Sequence, residues 1–125
     1  MEHKELIAII NKLVDELDFI SARKLIEENM EWVNQYRVHL NSNAREILAF
    51  LKHKLDSGEK PLTKSDIATI NAINMYASKF DLRGLKLTIK GKEQLLLRKE
   101  TLNFLNIDAK TLLESMGTIK KESQE

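Results

Sequence analysis

The residue types that carry metal or acid–base chemistry are thinly spread in this chain. Its histidines, His3, His39 and His53, stand alone, with no His-x-x-x-His pair and no cysteine to join them. Metal-ligand spacing is therefore missing, and the three read as solvated side chains. Asp15, Glu16 and Asp18, and then Glu27, Glu28 and Glu31, offer paired carboxylates for general acid–base work. Most of them fall off the apolar stripes, so they read as solvated helix face. A phosphate-cradling loop needs four residues between its glycines and a Ser or Thr after Gly-Lys. Here six residues separate Gly84 from Gly91, and Glu93 follows Lys92. With no Gly-x-Ser-x-Gly elbow and no thiol nucleophile either, the sequence reads as that of a non-enzyme, without catalytic residues, metal or cofactor.

Charge is more informative. Between Lys79 and Lys99 seven cations (Lys79, Arg83, Lys86, Lys90, Lys92, Arg98 and Lys99) face only Asp81 and Glu93, a net +5. The first forty residues hold eight acids against five bases, a net −3. The total of +1 thus hides an acidic N-terminal part and a basic later part. A second candidate feature is aromatic. Trp32, Tyr36 and His39 lie along one side of an expected helix, at the border of its apolar stripe. They are a candidate partner-binding ridge, since aromatic residues are favoured interface anchors, or else the rim of the core.

The elements that must position these residues are mostly helical. One proline and four glycines leave few breakers. A composition 42% hydrophobic and 31% charged is that of an ordinary soluble domain, and no apolar run approaches the roughly 18 residues needed to span a bilayer. The absence of cysteine and of a leader-like N-terminus points to a cytoplasmic protein with no membrane partner. Leu6, Ile9, Ile10, Leu13 and Leu17 form one apolar stripe, and Ala22, Leu25, Ile26, Val33 and Tyr36 form another on the opposite side. One straight helix cannot present both to a single core. The chain should break near Asp18 to Ser21, giving helices over about 3–17 and 21–37 packed as an antiparallel hairpin.

The word Leu17-Asp18-Phe19-Ile20-Ser21-Ala22 resembles the inter-helix turn of tetratricopeptide repeats, with an aromatic at Phe19, a small Ala22 and a large Leu13 in the first helix. Ile10 and Asn29 stand where that family has small residues, and no second copy follows at the expected spacing. The stretch is read as a generic helical hairpin. A third helix is expected from an Asn43 N-cap with Glu46 as its capping-box partner. Its stripe is Ala44, Ile47, Leu48, Leu51 and Leu55, and Asp56-Ser57-Gly58 ends it. After a loop over 58–63, Thr63 and Asp66 start a fourth helix, in which Ile70, Ile73, Ala77 and Phe80 keep one side. A last helix runs from an Asp108 cap to Met116 and closes at Gly117.

Between them, Leu85, Leu87 and Ile89 alternate with Lys86, Thr88 and Lys90, the period-two pattern of a strand with one apolar face. With Gly91 at the reversal and a loop one residue longer than Gly91-Lys92, Ile89 meets Leu95 and Leu87 meets Leu97. The rival reading makes 93–106 helical, because Leu, Gln, Arg and Lys favour helices. The expectation adopted is an α+β, mostly helical chain. It comprises an N-terminal antiparallel helical hairpin, two further helices, one small β-hairpin at about 85–98 and a short C-terminal helix, in a single domain over 1–117 with a polar tail at 118–125. Its leading function is a non-catalytic interaction or regulatory protein that binds another protein or itself.

The alternative is a DNA-binding regulator. Two helices followed by a basic hairpin resemble the order of winged-helix domains, and Leu62-Thr63-Lys64-Ser65-Asp66-Ile67-Ala68 looks like the opening of a helix-turn-helix. That resemblance implies that Lys64, Asn71, Asn74 and Lys79 face a groove, with Arg83, Lys86, Lys90 and Lys92 holding phosphates. Ala72 replaces the usual turn glycine, and the stripe from Ile70 to Phe80 favours one unbroken helix. Lysines that keep an exposed strand edge from pairing explain the same charges.

Overall fold

Leu6, Ile7, Ile10 and Val14 recur at helical spacing and are buried along α1 (His3–Asp15), so the inward stripe is turned slightly from the expected one. The expected members Ile9 and Leu13 are exposed and half-buried. The computed structural model describes residues 3–56 and 61–121, with side chains described over 4–53 and 61–121. The expected stop at Ser57-Gly58, the packing of Leu55 and most of the loop over 58–63 lie outside these, as does 122–125.

α1 ends in a Schellman turn. Leu17 takes the left-handed conformation at φ 66°, and the Asp18 amide donates to the Leu13 carbonyl. Asp18 then caps α2 (Phe19–Glu28) by accepting from the Ser21 amide, 3.2 Å away. The helix expected over 21–37 is not continuous. It breaks at Asn29, whose side chain donates to the Leu25 carbonyl at 2.9 Å and competes with the helical ladder. The chain resumes as α3 (Met30–Gln35) and a 3-10 turn over Arg37–His39. α4 (Ser42–Asp56) is capped by Asn41 rather than Asn43. The Asn41 carboxamide oxygen accepts from the Ala44 amide at 2.7 Å, and the Asn41 amide donates to Asn11 of α1 at 2.8 Å.

α5 (Lys64–Ser78) starts at the expected capping box of Thr63 and Asp66 and runs unbroken through Asn71–Asn74, where a helix-turn-helix would bend. Ile70, Ile73 and Ala77 are buried, but Phe80 is not on their face. It sits beyond the helix at φ 55° with 67% of its surface exposed.

The β-hairpin does not form. Among the described residues there is no strand, and every regular element is a helix. Asp81 caps α6 (Leu82–Ile89) through the Gly84 amide at 2.9 Å. The alternation of Leu85, Leu87 and Ile89 is ambiguous because its outer members are also four apart. Leu85 and Ile89 are fully buried on one helix face, whereas Leu87 is 67% exposed. Gly84 lets α6 lie against α5, since a Cβ there would come within 2.5 Å of the Tyr76 ring.

Past Gly91 (φ 81°), α7 (Glu93–Leu96) buries the consecutive Leu95, Leu96 and Leu97, a run that fits neither strand nor helix periodicity. The Thr101 hydroxyl of α8 (Lys99–Leu102) donates to the Leu95 carbonyl at 2.7 Å. α9 (Ile107–Ser115) is capped by Asn106, not Asp108, through the Ala109 amide at 2.8 Å. It closes at Gly117 (φ 77°) as expected. The residues at 118 and 119 are not tail. Ile119 is buried, and the Thr118 hydroxyl donates to the Leu17 carbonyl at 2.8 Å. The Ile20 amide donates to the Gly117 carbonyl at 3.0 Å, so the C-terminal segment is fastened to the α1–α2 corner. One cluster of buried apolar side chains extends from Leu6 to Ile119.

Candidate interaction groove

Between the α1–α2 corner and the C-terminal segment fastened to it lies an open groove of about 1270 Å³. One wall is α2, with Arg23 and Lys24. The other comes from α7, α8, α9 and the closing segment, with Arg98, Lys99, Lys110, Lys120 and Lys121. Ile20, Leu96, Leu97, Leu102 and Ile119 supply its apolar lining. Seven cations thus line it against two acids, Glu27 and Glu28.

Local pairing trims this excess without removing it. Arg23 binds Glu27 at 2.5 Å, and Arg98 binds Glu100 at 2.9 Å. Among the described residues no ion pair engages Lys24, Lys99, Lys120 or Lys121. Like charges held along one groove raise the local potential and attract anionic groups.

Where α7 packs on α4 lies a group of the opposite kind. Glu93 is fully buried, and its carboxylate makes no well-formed hydrogen bond, with only the backbone amides of Glu93 and Gly91 facing it. Burial away from water pushes its pKa above the ordinary carboxylate value. Its own backbone amide pulls the other way, Glu46 on α4 raises it further, and the Gly91 amide offsets part of the rise. Glu46 is itself held by the Gln94 side chain, whose amide donates to it at 2.6 Å.

The chain matches no protein-family model, no curated protein and no solved structure.

The residues singled out in the sequence fall in different places. Trp32 and Tyr36 do come together, with ring centroids 4.8 Å apart, and Tyr36 and His39 follow at 6.4 Å. Trp32 and Tyr36 are half-buried against the core cluster, His39 is exposed, and none of the three lines the groove. Of the residues named for nucleic acid, Lys64, Asn71, Lys79, Arg83, Lys86, Lys90 and Lys92 are exposed. Asn74 instead joins α5 to the turn before α9. It donates to the Phe104 carbonyl at 2.9 Å, and its side-chain oxygen accepts from the Asn106 amide at 2.9 Å. Among the described residues the basic stretch carries no wing, because 82–89 is helix. Also among them, no three His, Cys, Asp or Glu side chains gather to hold a metal, and no helix is long and apolar enough to cross a membrane.

Arg23, Lys24, Lys110, Lys120 and Lys121 were not visible as a group in the sequence. The first two lie in a segment that is net acidic, and the last three lie far from it along the chain. The tertiary fold gathers them around one groove with Lys99, helped by the closing contacts of Gly117 and Thr118.

Proposed function

We propose that this protein is a non-catalytic interaction module whose cationic groove holds an acidic segment of a protein partner. One observation carries the reading, the excess of seven cations over two acids around a groove with an apolar lining. Fixed positive charge steers an acidic segment in and sets its register, while the apolar floor supplies contact area that charge alone does not. A cytoplasmic setting suits a chain without cysteine.

A labelled peptide of alternating Glu and Leu tests the reading by fluorescence anisotropy. The expected result is binding that weakens as salt rises from about 50 to 200 mM, as surface electrostatics require. Lys24→Glu with Lys99→Glu should weaken it at least tenfold while leaving the melting temperature unchanged. Absence of binding at low salt, or binding indifferent to the charge reversal, refutes the reading. Sedimentation velocity of the chain alone separates a second copy as the occupant, because a salt-sensitive dimer lost in the same double variant replaces the foreign partner with self-association.

A further inference from the structure

Three helices in this chain end with a left-handed residue in the same Schellman geometry, and the three residues differ in a telling way. Gly117 closes α9 at φ 77°, with the Thr118 amide donating to the Leu113 carbonyl. Glycine is the residue that this position favours, because a side chain there crowds the backbone. Leu17 closes α1 at φ 66°, and burial in the core offsets its strain. Phe80 closes α5 at φ 55°, with the Asp81 amide donating to the Tyr76 carbonyl, yet 67% of its surface is exposed. Folding gains little from an exposed phenyl ring in a conformation that glycine adopts more readily. The ring is better accounted for by something outside the chain.

Its surroundings say what. Phe80 leads directly into α6. At 100° per residue, Arg83, Lys86 and Leu87 share an arc of about 100° on that helix, and Lys90 follows as its C-cap. Leu85 and Ile89 are buried on the inward side, whereas Leu87 is exposed to the same extent as Phe80. Lys79 and Lys92 are exposed at the two ends of this face. The one acid on the stretch, Asp81, is engaged as the cap of α6. The outer side of α6 therefore presents Arg83, Lys86 and Leu87, with the exposed Lys79 and Phe80 just before the helix and Lys90 and Lys92 just after it.

We propose that the Phe80 corner and the outer face of α6 dock on an anionic lipid surface. Phe80 and Leu87 enter the headgroup region, and Arg83, Lys86 and Lys90 lie over acidic headgroups, with Lys79 and Lys92 at the margins. Helices that rest in the interface plane combine these features, apolar side chains directed into the bilayer and cations meeting anionic lipid. Leu87 decides between this surface and a nucleic acid, because an aliphatic side chain in the middle of the face gains nothing against a phosphate backbone. The face is separate from the groove, so the inference goes beyond the function proposed above.

Cosedimentation of the full chain with vesicles tests it. Vesicles of phosphatidylcholine with about 30% phosphatidylserine should bind at least tenfold more tightly than phosphatidylcholine alone, and high salt should weaken the binding. Phe80→Gly should keep or raise the melting temperature, since glycine relieves the left-handed strain, while lowering vesicle affinity at least fivefold. Leu87→Ser should lower it similarly without loss of fold. The groove variant Lys24→Glu with Lys99→Glu should bind vesicles as the parent does, which separates failure here from failure of the groove reading. Equal binding to both vesicle types overturns the proposal, as do a Phe80→Gly variant that binds like the parent and a groove variant that stops binding. Tight duplex or single-stranded DNA binding without vesicle binding assigns the face to nucleic acid instead and also overturns it.

Discussion

Replacing Glu93 by glutamine should stabilise the protein at neutral pH and remove part of its pH dependence. The side chain is fully buried between α7 and α4, neither oxygen makes a well-formed hydrogen bond, Glu46 opposes its ionisation, and the backbone amides of Glu93 and Gly91 offset only part of this. Its pKa is raised in the folded state, so the folded protein holds a proton that the unfolded chain releases near the ordinary value of 4.5. Stability linked to this group is therefore fully present below that value and is lost as pH climbs through the folded pKa. Across that window the loss is up to about 1.4 kcal/mol per pH unit, the slope for one proton. Glutamine keeps the shape and removes the charge, at the price of a buried amide that is also short of partners. A net gain of about 1–2 kcal/mol at pH 7.5 is expected, within the range for relieving a poorly satisfied buried polar group. In a chain of this size that corresponds to a melting point roughly 3–10 °C higher.

Urea unfolding followed by far-UV circular dichroism, on parent and variant at steps from pH 4.5 to 8, measures this. Subtracting one curve from the other cancels groups common to both. The difference should be small near the acid end and grow in favour of glutamine toward pH 8. A difference that stays flat with pH, or a variant weaker than the parent at pH 8, would show that the carboxylate is compensated in place and that the burial reasoning is wrong.

Two further substitutions test the fastenings that shape the fold. Gly117→Ala forces a side chain into a left-handed position and puts its Cβ 2.5 Å from an Asp18 carboxylate oxygen. A loss of roughly 2–3 kcal/mol in chemical denaturation is expected, and a loss under about 0.5 kcal/mol would mean that the corner simply yields. Asn74→Ala leaves the Phe104 carbonyl and the Asn106 amide without their partner. It should cost about 2–3 kcal/mol and speed hydrogen exchange at the Asn106 amide, and unchanged exchange there would contradict the clamp.

Local chemistry in the sequence determined a good part of this protein. The Thr63–Asp66 capping box, the unbroken α5, the break after α1, the Asp18 cap and the Gly117 stop all depend on groups within a few residues of one another. Where two local patterns coincide, sequence alone was misleading. Leu85, Leu87 and Ile89 satisfy a strand period and a helix period together, and only packing against Tyr76 and α5 decided which pair turned inward. The chain carries a local sign of the helix, since Phe80-Asp81-Leu82 repeats the order of Leu17-Asp18-Phe19, a left-handed closer, a capping aspartate and an apolar first residue.

The caps at Asn41 and Asn106 were not legible locally either, because each is chosen partly by a distant partner, Asn11 or Asn74. The groove was beyond any local reading. Its cations lie on segments whose own charge balance points in opposite directions, and the tertiary fold gathers them, helped by the contact of Thr118 with Leu17. Propensity and capping act over one or two turns of chain. Burial, the fate of a lone carboxylate such as Glu93 and the gathering of charge are settled by what the rest of the molecule packs against them.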